Sequence, residues 1–152
     1  MQEDLSPLGI QIASDLHIEF FFHPDALPED EDTLWSVLLQ KQCNCSVLAL
    51  LGDIGVLSSD ELRGQYTRFV SWCAARWDHV LLLTGNHEYY CRSHGPNNSS
   101  TEVTDYASID AFLFSMCTSE SMSGKVHFLQ KGIFKLGDVT VLGCTLWSHV
   151  CI

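Results

Sequence analysis

An α/β fold built on a parallel sheet is what this sequence predicts, and three observations predict it. Short apolar runs alternate with helical patterns over most of the chain, three of those runs end in Asp, His or Asn, and the last third changes to closely spaced strands. Strand–helix alternation gives a parallel sheet with helices packed on it. In such sheets ligands bind beyond the carboxyl ends of the strands, which is where the polar residues fall.

Taken in order, Ile10 to Ala13 is a strand running into Ser14-Asp15-Leu16-His17. Glu29 to Asp32 has the composition of an acidic loop, a solvated approach to a short helix over Thr33 to Gln42 with Leu34, Val37 and Leu38 on one side. Val47 to Leu51 is a buried strand that stops at Gly52-Asp53. Leu62, Tyr66, Phe69, Val70, Cys73 and Trp77 recur at helical spacing, with Ser58 and Glu61 three apart as a capping box ahead of them. Val80 to Leu83 is the next strand, ending in Thr84-Gly85-Asn86-His87. Ser93 to Ser100 is a loop by composition, followed by a helix with Ile109, Phe112, Leu113, Met116 and Cys117 on one face. Val126 to Leu129, Ile133 to Leu136 and Val139 to Leu142 are separated by Lys131-Gly132 and Gly137-Asp138, the pattern of an antiparallel meander.

Composition narrows the function. The 152 residues carry 19 Asp plus Glu against 8 Lys plus Arg, a formal net charge of −11. That balance disfavours a nucleic-acid partner, because gripping phosphates needs Lys and Arg. The longest apolar runs are far too short to span a bilayer, so no membrane association is expected. The acidic start Met1-Gln2-Glu3-Asp4 is unlike a secretory signal, so a cytoplasmic protein is expected. Seven Cys, an odd number, suit free thiols better than a disulfide framework. Cys43-Asn44-Cys45 has no second Cys or His pair at zinc-site spacing, and Asn44 and Asn97 to Ser100 are taken as polar loop residues rather than glycosylation sites.

Asp15, His17, Asp53, Asn86 and His87 are residue types that bind divalent cations of hard to borderline character, such as Mn, Fe, Zn, Ni or Mg. Asp15 and His17 stand two apart, so an extended segment points both to one side. A carboxylate such as Asp53 can bridge two ions, and two ions can activate a water and clamp a phosphoryl group. His87, beside Asn86, is placed next to such ions as a general acid for a leaving oxygen should be. Neither D-x-H nor Gly-Asp carries much weight alone. Gly85-Asn86-His87-Glu88, by contrast, arises by chance in a chain of this length on the order of once in a thousand.

Ser14-Asp15-Leu16-His17, Leu51-Gly52-Asp53 and Gly85-Asn86-His87-Glu88, in this order, resemble the first three blocks of the calcineurin-like metallophosphoesterases. Gly143-Cys144-Thr145-Leu146-Trp147-Ser148 is similar to a segment of that superfamily's uncharacterised phosphohydrolase branch. The resemblance runs from Ile10 to Ser148. It implies the N-terminal half of a four-layer α-β-β-α sandwich, with a mixed sheet and helices on its outer face, as a single domain over residues 1–152. It further implies a dinuclear centre hydrolysing phosphoric esters. Asp15 and His17 would hold the first of two divalent ions, Asp53 would bridge, Asn86 would hold the second, and His87 would protonate the leaving group.

Two departures qualify that analogy. The second block continues Gly52-Asp53-Ile54-Gly55-Val56, where the family's protein phosphatases have G-D-x-x-D-R-G, so Val56 stands in the second Asp position. The family's later His blocks are also not met before Ile152. The expectation is therefore a C-terminally truncated domain with crippled turnover. The alternative is an inactive fragment or paralogue that serves only as a protein-binding module. Either would act on, or retain the site of, a phosphoester of unknown class, and an uncovered sheet face would favour self-association. Among lesser features, His149 is expected to be a tail histidine, Arg92 a solvated loop residue, and Phe20-Phe21-Phe22 core packing below the first strand.

Overall fold

Four strands form one parallel sheet in the computed structural model, which describes residues 9–21, 28–90 and 106–147. β1 (Gly9–Ala13), β2 (Cys45–Leu51), β3 (His79–Leu83) and β4 (Val126–Phe128) lie side by side in sequence order. Ala13, Leu50, Leu82 and Phe128 make one row across the sheet, so all four carboxyl ends reach a single edge.

The connections contain α1 (Pro28–Leu38), α2 (Asp60–Arg76) and α3 (Tyr106–Cys117). Parallel crossovers are right-handed in nearly all proteins, so successive crossovers stepping in one direction put every helix on the same face. The packing agrees. Trp35 of α1, Phe69, Val70 and Cys73 of α2, and Ile109, Leu113 and Met116 of α3 share one core with Leu48, Leu50, Val80, Leu82 and Val126 of the sheet.

Residues of opposite parity face the other way. There Val47, Ala49 and Leu81 pack with Leu129 and Phe134 under a separate two-stranded antiparallel pair, β5 (Gly132–Leu136) and β6 (Val139–Gly143). The cover is partial. Ile12 pairs with Ala49 in register, and so lies on this face, yet it is 66% exposed.

The structure corrects five sequence expectations. Val126–Phe128 is not part of a meander: it pairs parallel with β3, and among the described residues only β5 and β6 pair antiparallel. The main sheet is thus parallel throughout rather than mixed. Val126 joins the helix-side core, which gives that short strand more burial than a hairpin edge would. The acidic run is not a loop but part of the first turns of α1, where the negative charge of Asp30, Glu31 and Asp32 complements the helix dipole. Its residues also tie the helices together. Arg68 donates twice to Glu31, at 2.8 and 2.7 Å, and Asp32 accepts from Arg76 and from the Trp72 indole, both at 2.6 Å.

The cap of α2 is Ser59, whose Oγ accepts from the Leu62 N–H at 3.3 Å, so the shift of one residue leaves no capping box on Ser58 and Glu61. Phe20 and Phe21 are exposed rather than core. Phe22, Arg92, His149 and Asn97 to Ser100 lie outside the described residues. No helix among the described residues is long and apolar enough to cross a membrane.

Candidate metal centre

Past the strand ends the first three loops converge, and two glycines let them touch. A Cβ on Gly52, at φ +90°, would lie 2.4 Å from the Gly85 amide nitrogen. One on Gly85 would lie 2.3 Å from Asp53 Oδ1. Three backbone bonds then carry the β1–β2 pairing past the sheet. The N–H of Asp15 donates to the Gly52 carbonyl at 3.1 Å, that of His17 to Asp53 at 3.1 Å, and that of Ile18 to Ile54 at 2.9 Å. Asp15, His17 and Asp53 all take left-handed conformations, with φ of 56°, 47° and 52°.

These turns bring together His17, Asp53 and His87, one donor atom of each lying within 4.8 Å of the others. The two imidazole rings meet edge to face at 4.4 Å. Asp53 Oδ1 also accepts the His87 backbone N–H at 2.9 Å, which fixes the third loop against the second. All three residues are half-buried, wet enough for an ion to enter and dry enough for charge to matter. Of the other two sequence candidates, Asp15 is exposed at the end of β1 and stands outside this cluster. Asn86 is half-buried next to His87, and its amide nitrogen donates to the Tyr90 hydroxyl. His87 offers a ring nitrogen as close as the residues expected to be ligands.

Two carboxylates were missed by sequence reasoning. Glu88 is fully buried and accepts three backbone N–H groups: Ile54 at 2.8 Å on Oε1, and Gly85 at 2.8 Å and Asp53 at 3.1 Å on Oε2. It clips the second loop to the third. Burial pushes its carboxyl pKa up, while the backbone donors around it pull the other way. Glu19, 7% exposed, sits behind His17 with Oε1 3.3 Å from its Nδ1. The fourth residue of the Gly-Asn-His-Glu string was the available signal for Glu88; for Glu19 there was only its position two past His17.

A divalent cation fits this donor set. Among the described residues, no Lys or Arg forms an ion pair with Glu19, Asp53 or Glu88. Two imidazoles and a carboxylate around an uncompensated negative region suit a borderline divalent ion. Glu19 Oε2 is buried with no hydrogen-bond partner, a cost usually tolerated where charge is needed.

The segment after β6 braces the root of the third loop. Thr145 donates its hydroxyl to the Thr84 carbonyl at 2.7 Å and its N–H to Gln130 Oε1 at 3.1 Å. The Trp147 ring packs edge to face on Tyr89 at 5.7 Å and on Tyr106 at 5.5 Å. Tyr89 in turn donates to Asp110 of α3 at 2.6 Å.

No family model matches the chain. An uncharacterised protein of Acanthamoeba polyphaga mimivirus is 29% identical over 145 residues, which is 93% of this chain and 45% of that protein. The chain therefore spans just under half the length of that relative. Among solved structures, a phosphopantetheinyl hydrolase from Mycobacterium tuberculosis superposes with a TM-score of 0.50 at 17% identity, over 91% of this chain and 42% of that one. The likeness is one of fold. It leaves this chain as an α/β structure, similar in fold to part of a hydrolase, with a His–Asp–His cluster able to hold a metal ion at the carboxyl edge of its parallel sheet.

Proposed function

We propose that this chain forms part of a metal-dependent hydrolase of phosphoric esters, of the calcineurin-like type, working through a dinuclear centre. The observation that carries the reading is the convergence of His17, Asp53 and His87 donor atoms within 4.8 Å, from three loops that follow adjacent parallel strands. Divalent ions bound there supply an activated water and neutralise phosphoryl charge. Asp15 and His17 would hold the first ion, Asp53 would serve both, and Asn86 would hold the second. His87, on a loop held by the bond from its backbone N–H to Asp53 Oδ1, would donate a proton to the leaving oxygen. The β5–β6 pair is the start of a second sheet in a four-layer sandwich, a reading supported by its packing on the face opposite the helices.

The test is manganese calorimetry together with turnover of p-nitrophenyl phosphate and bis-(p-nitrophenyl) phosphate in Mn, Ni or Mg. Asp53→Asn is expected to weaken manganese binding more than any other single change at the site. Equal affinity in wild type and Asp53→Asn sinks the assignment. A protein-binding module is the second reading, favoured by the apolar surface at Ile12, Ile133 and Leu142, exposed by 66%, 64% and 73%. Manganese binding without turnover of either ester, with capture of a second chain, is its signature.

A further inference from the structure

We propose that Glu19 is a positioning residue that fixes the metal-binding tautomer of His17. The proposal rests on the metal-site reading above and adds a residue that no sequence motif supplied. A neutral imidazole carries its proton on one nitrogen and a lone pair on the other, and only the lone pair can meet a cation. Glu19 Oε1 lies 3.3 Å from His17 Nδ1. An ionised carboxylate can only accept, so this contact places the proton on Nδ1 and leaves the lone pair on Nε2. Metal-binding histidines are commonly set in this way by a carboxylate behind the ring.

The surroundings are built for that contact. The His17 side chain is 24% exposed and that of Glu19 only 2%, so the carboxylate is the dry partner and the ring reaches outward. The left-handed turn at His17, φ 47°, is followed by a short 3-10 helix over Ile18–Phe21 that brings Glu19 back under the ring. Gln65 of α2 anchors that helix, donating to the Ile18 carbonyl at 2.9 Å. Gly55 keeps space open: a Cβ there would come to 2.9 Å from Ile18 and 3.5 Å from Glu19 Oε2.

The second oxygen is the telling atom. Oε2 is buried without a hydrogen bond. A residue present only for packing would be less costly as Leu or Gln, because a buried carboxylate loses its hydration. What the carboxylate adds at this position is a hard acceptor for Nδ1–H and negative charge behind the cation.

Two variants test this, Glu19→Gln and Glu19→Leu, with a readout on the metal-free protein. Two-bond proton–nitrogen NMR of the imidazoles is expected to show His17 protonated on Nδ1 in wild type. Glu19→Gln, whose amide oxygen still accepts, should keep that tautomer, and Glu19→Leu should move it towards the Nε2–H form. Manganese affinity by calorimetry should fall about 10–100-fold in Glu19→Leu and by less in Glu19→Gln. A wild-type His17 already in the Nε2–H form overturns the proposal. So does manganese affinity within twofold of wild type in Glu19→Leu, or in Glu19→Ala if Glu19→Leu fails to fold. If manganese does not bind even the wild type, the metal reading fails, while the tautomer spectra still decide whether Glu19 sets the proton.

Discussion

Replacing Glu88 tests the construction of the site without touching a proposed ligand. Its carboxylate accepts from Asp53, Ile54 and Gly85, so one side chain satisfies three amides that lie between two loops. In Glu88→Gln one oxygen becomes an NH2 group, which donates. With nitrogen in the Oε1 place the Ile54 N–H is orphaned; in the Oε2 place both Asp53 and Gly85 are. The first orientation is the less costly. A buried donor without a partner costs about 1–3 kcal/mol, so Glu88→Gln should lose about that much stability. At about 2 kcal/mol per molar of urea for a domain of this size, the midpoint should drop by about 0.5–1.5 M. Glu88→Ala orphans all three amides and should lose at least twice as much, a large part of the usual total of about 5–15 kcal/mol.

Urea titration followed by tryptophan fluorescence measures this directly, because Trp72 and Trp77 are buried in the helix-side core. Manganese affinity, measured in parallel on folded Glu88→Gln, should fall as well, since Asp53 and His87 sit on the loops that Glu88 joins. A midpoint within 0.2 M of wild type would show that the three bonds carry no net energy, and the clip would have to be abandoned.

Three further outcomes follow from other parts of the molecule. His127 pairs with His79 at 3.4 Å beside Phe134, and burial first, then the neighbouring His79, hold its pKa below the usual value of 6.5. A depressed histidine favours the folded state above its unfolded pKa and loses that contribution as pH falls through the folded value. Thermal stability should therefore decline below about pH 6.5, and His127→Phe should flatten that slope between pH 5 and 7. Gly85→Ala should destabilise by about 1–3 kcal/mol, because its Cβ would lie 2.3 Å from Asp53 Oδ1; chemical denaturation within 0.5 kcal/mol of wild type would contradict that close approach. We also propose that the apolar surface near Ile12 and Leu142 drives self-association, to be read by light scattering. A stable monomer at high concentration, without binding of a hydrophobic dye, argues against it.

How much of this was legible in the sequence depends on where each partner lies. The three site loops announced themselves because strand-end placement is a local property: an apolar run followed by Gly-Asp or Gly-Asn-His can be seen in a few residues. Periodicity likewise located α2 and α3. Pairing is different. Val126–Phe128 has the same alternation whether its neighbour is β3 or β5, and only the tertiary contact with the helices decides. Glu88 illustrates the same limit, since its amide partners at Asp53 and Ile54 lie 35 and 34 positions away. Glu19 drew no notice because nothing in the sequence marks the burial of a residue type that is seldom buried. Acidic residues 29–32 favoured a loop by composition, although the start of a helix welcomes the same charge.

The backbone at the site joins these threads in one last expectation. Gly52 and Gly85 occupy positions where a Cβ would collide, whereas Asp15, His17 and Asp53 carry side chains in left-handed conformations that glycine adopts more readily. A non-glycine residue there bears a strain of about 1–2 kcal/mol, less for Asp, whose short polar side chain eases it. Asp15 is exposed, and its backbone N–H donates to the Gly52 carbonyl. Asp15→Gly should thus relax the turn, and the gain is partly offset because glycine is freer in the unfolded chain. The net is a stabilisation of about 0.5 kcal/mol. If Asp15 is held in that conformation for its carboxylate, the same change should weaken manganese binding. Stability and affinity would then move in opposite directions, as expected where strain is retained for function. A loss of both would mean that Asp15 braces the turn, and a gain in stability with affinity unchanged would remove Asp15 from the ligand set and leave His17, Asp53 and His87 as the core of the site.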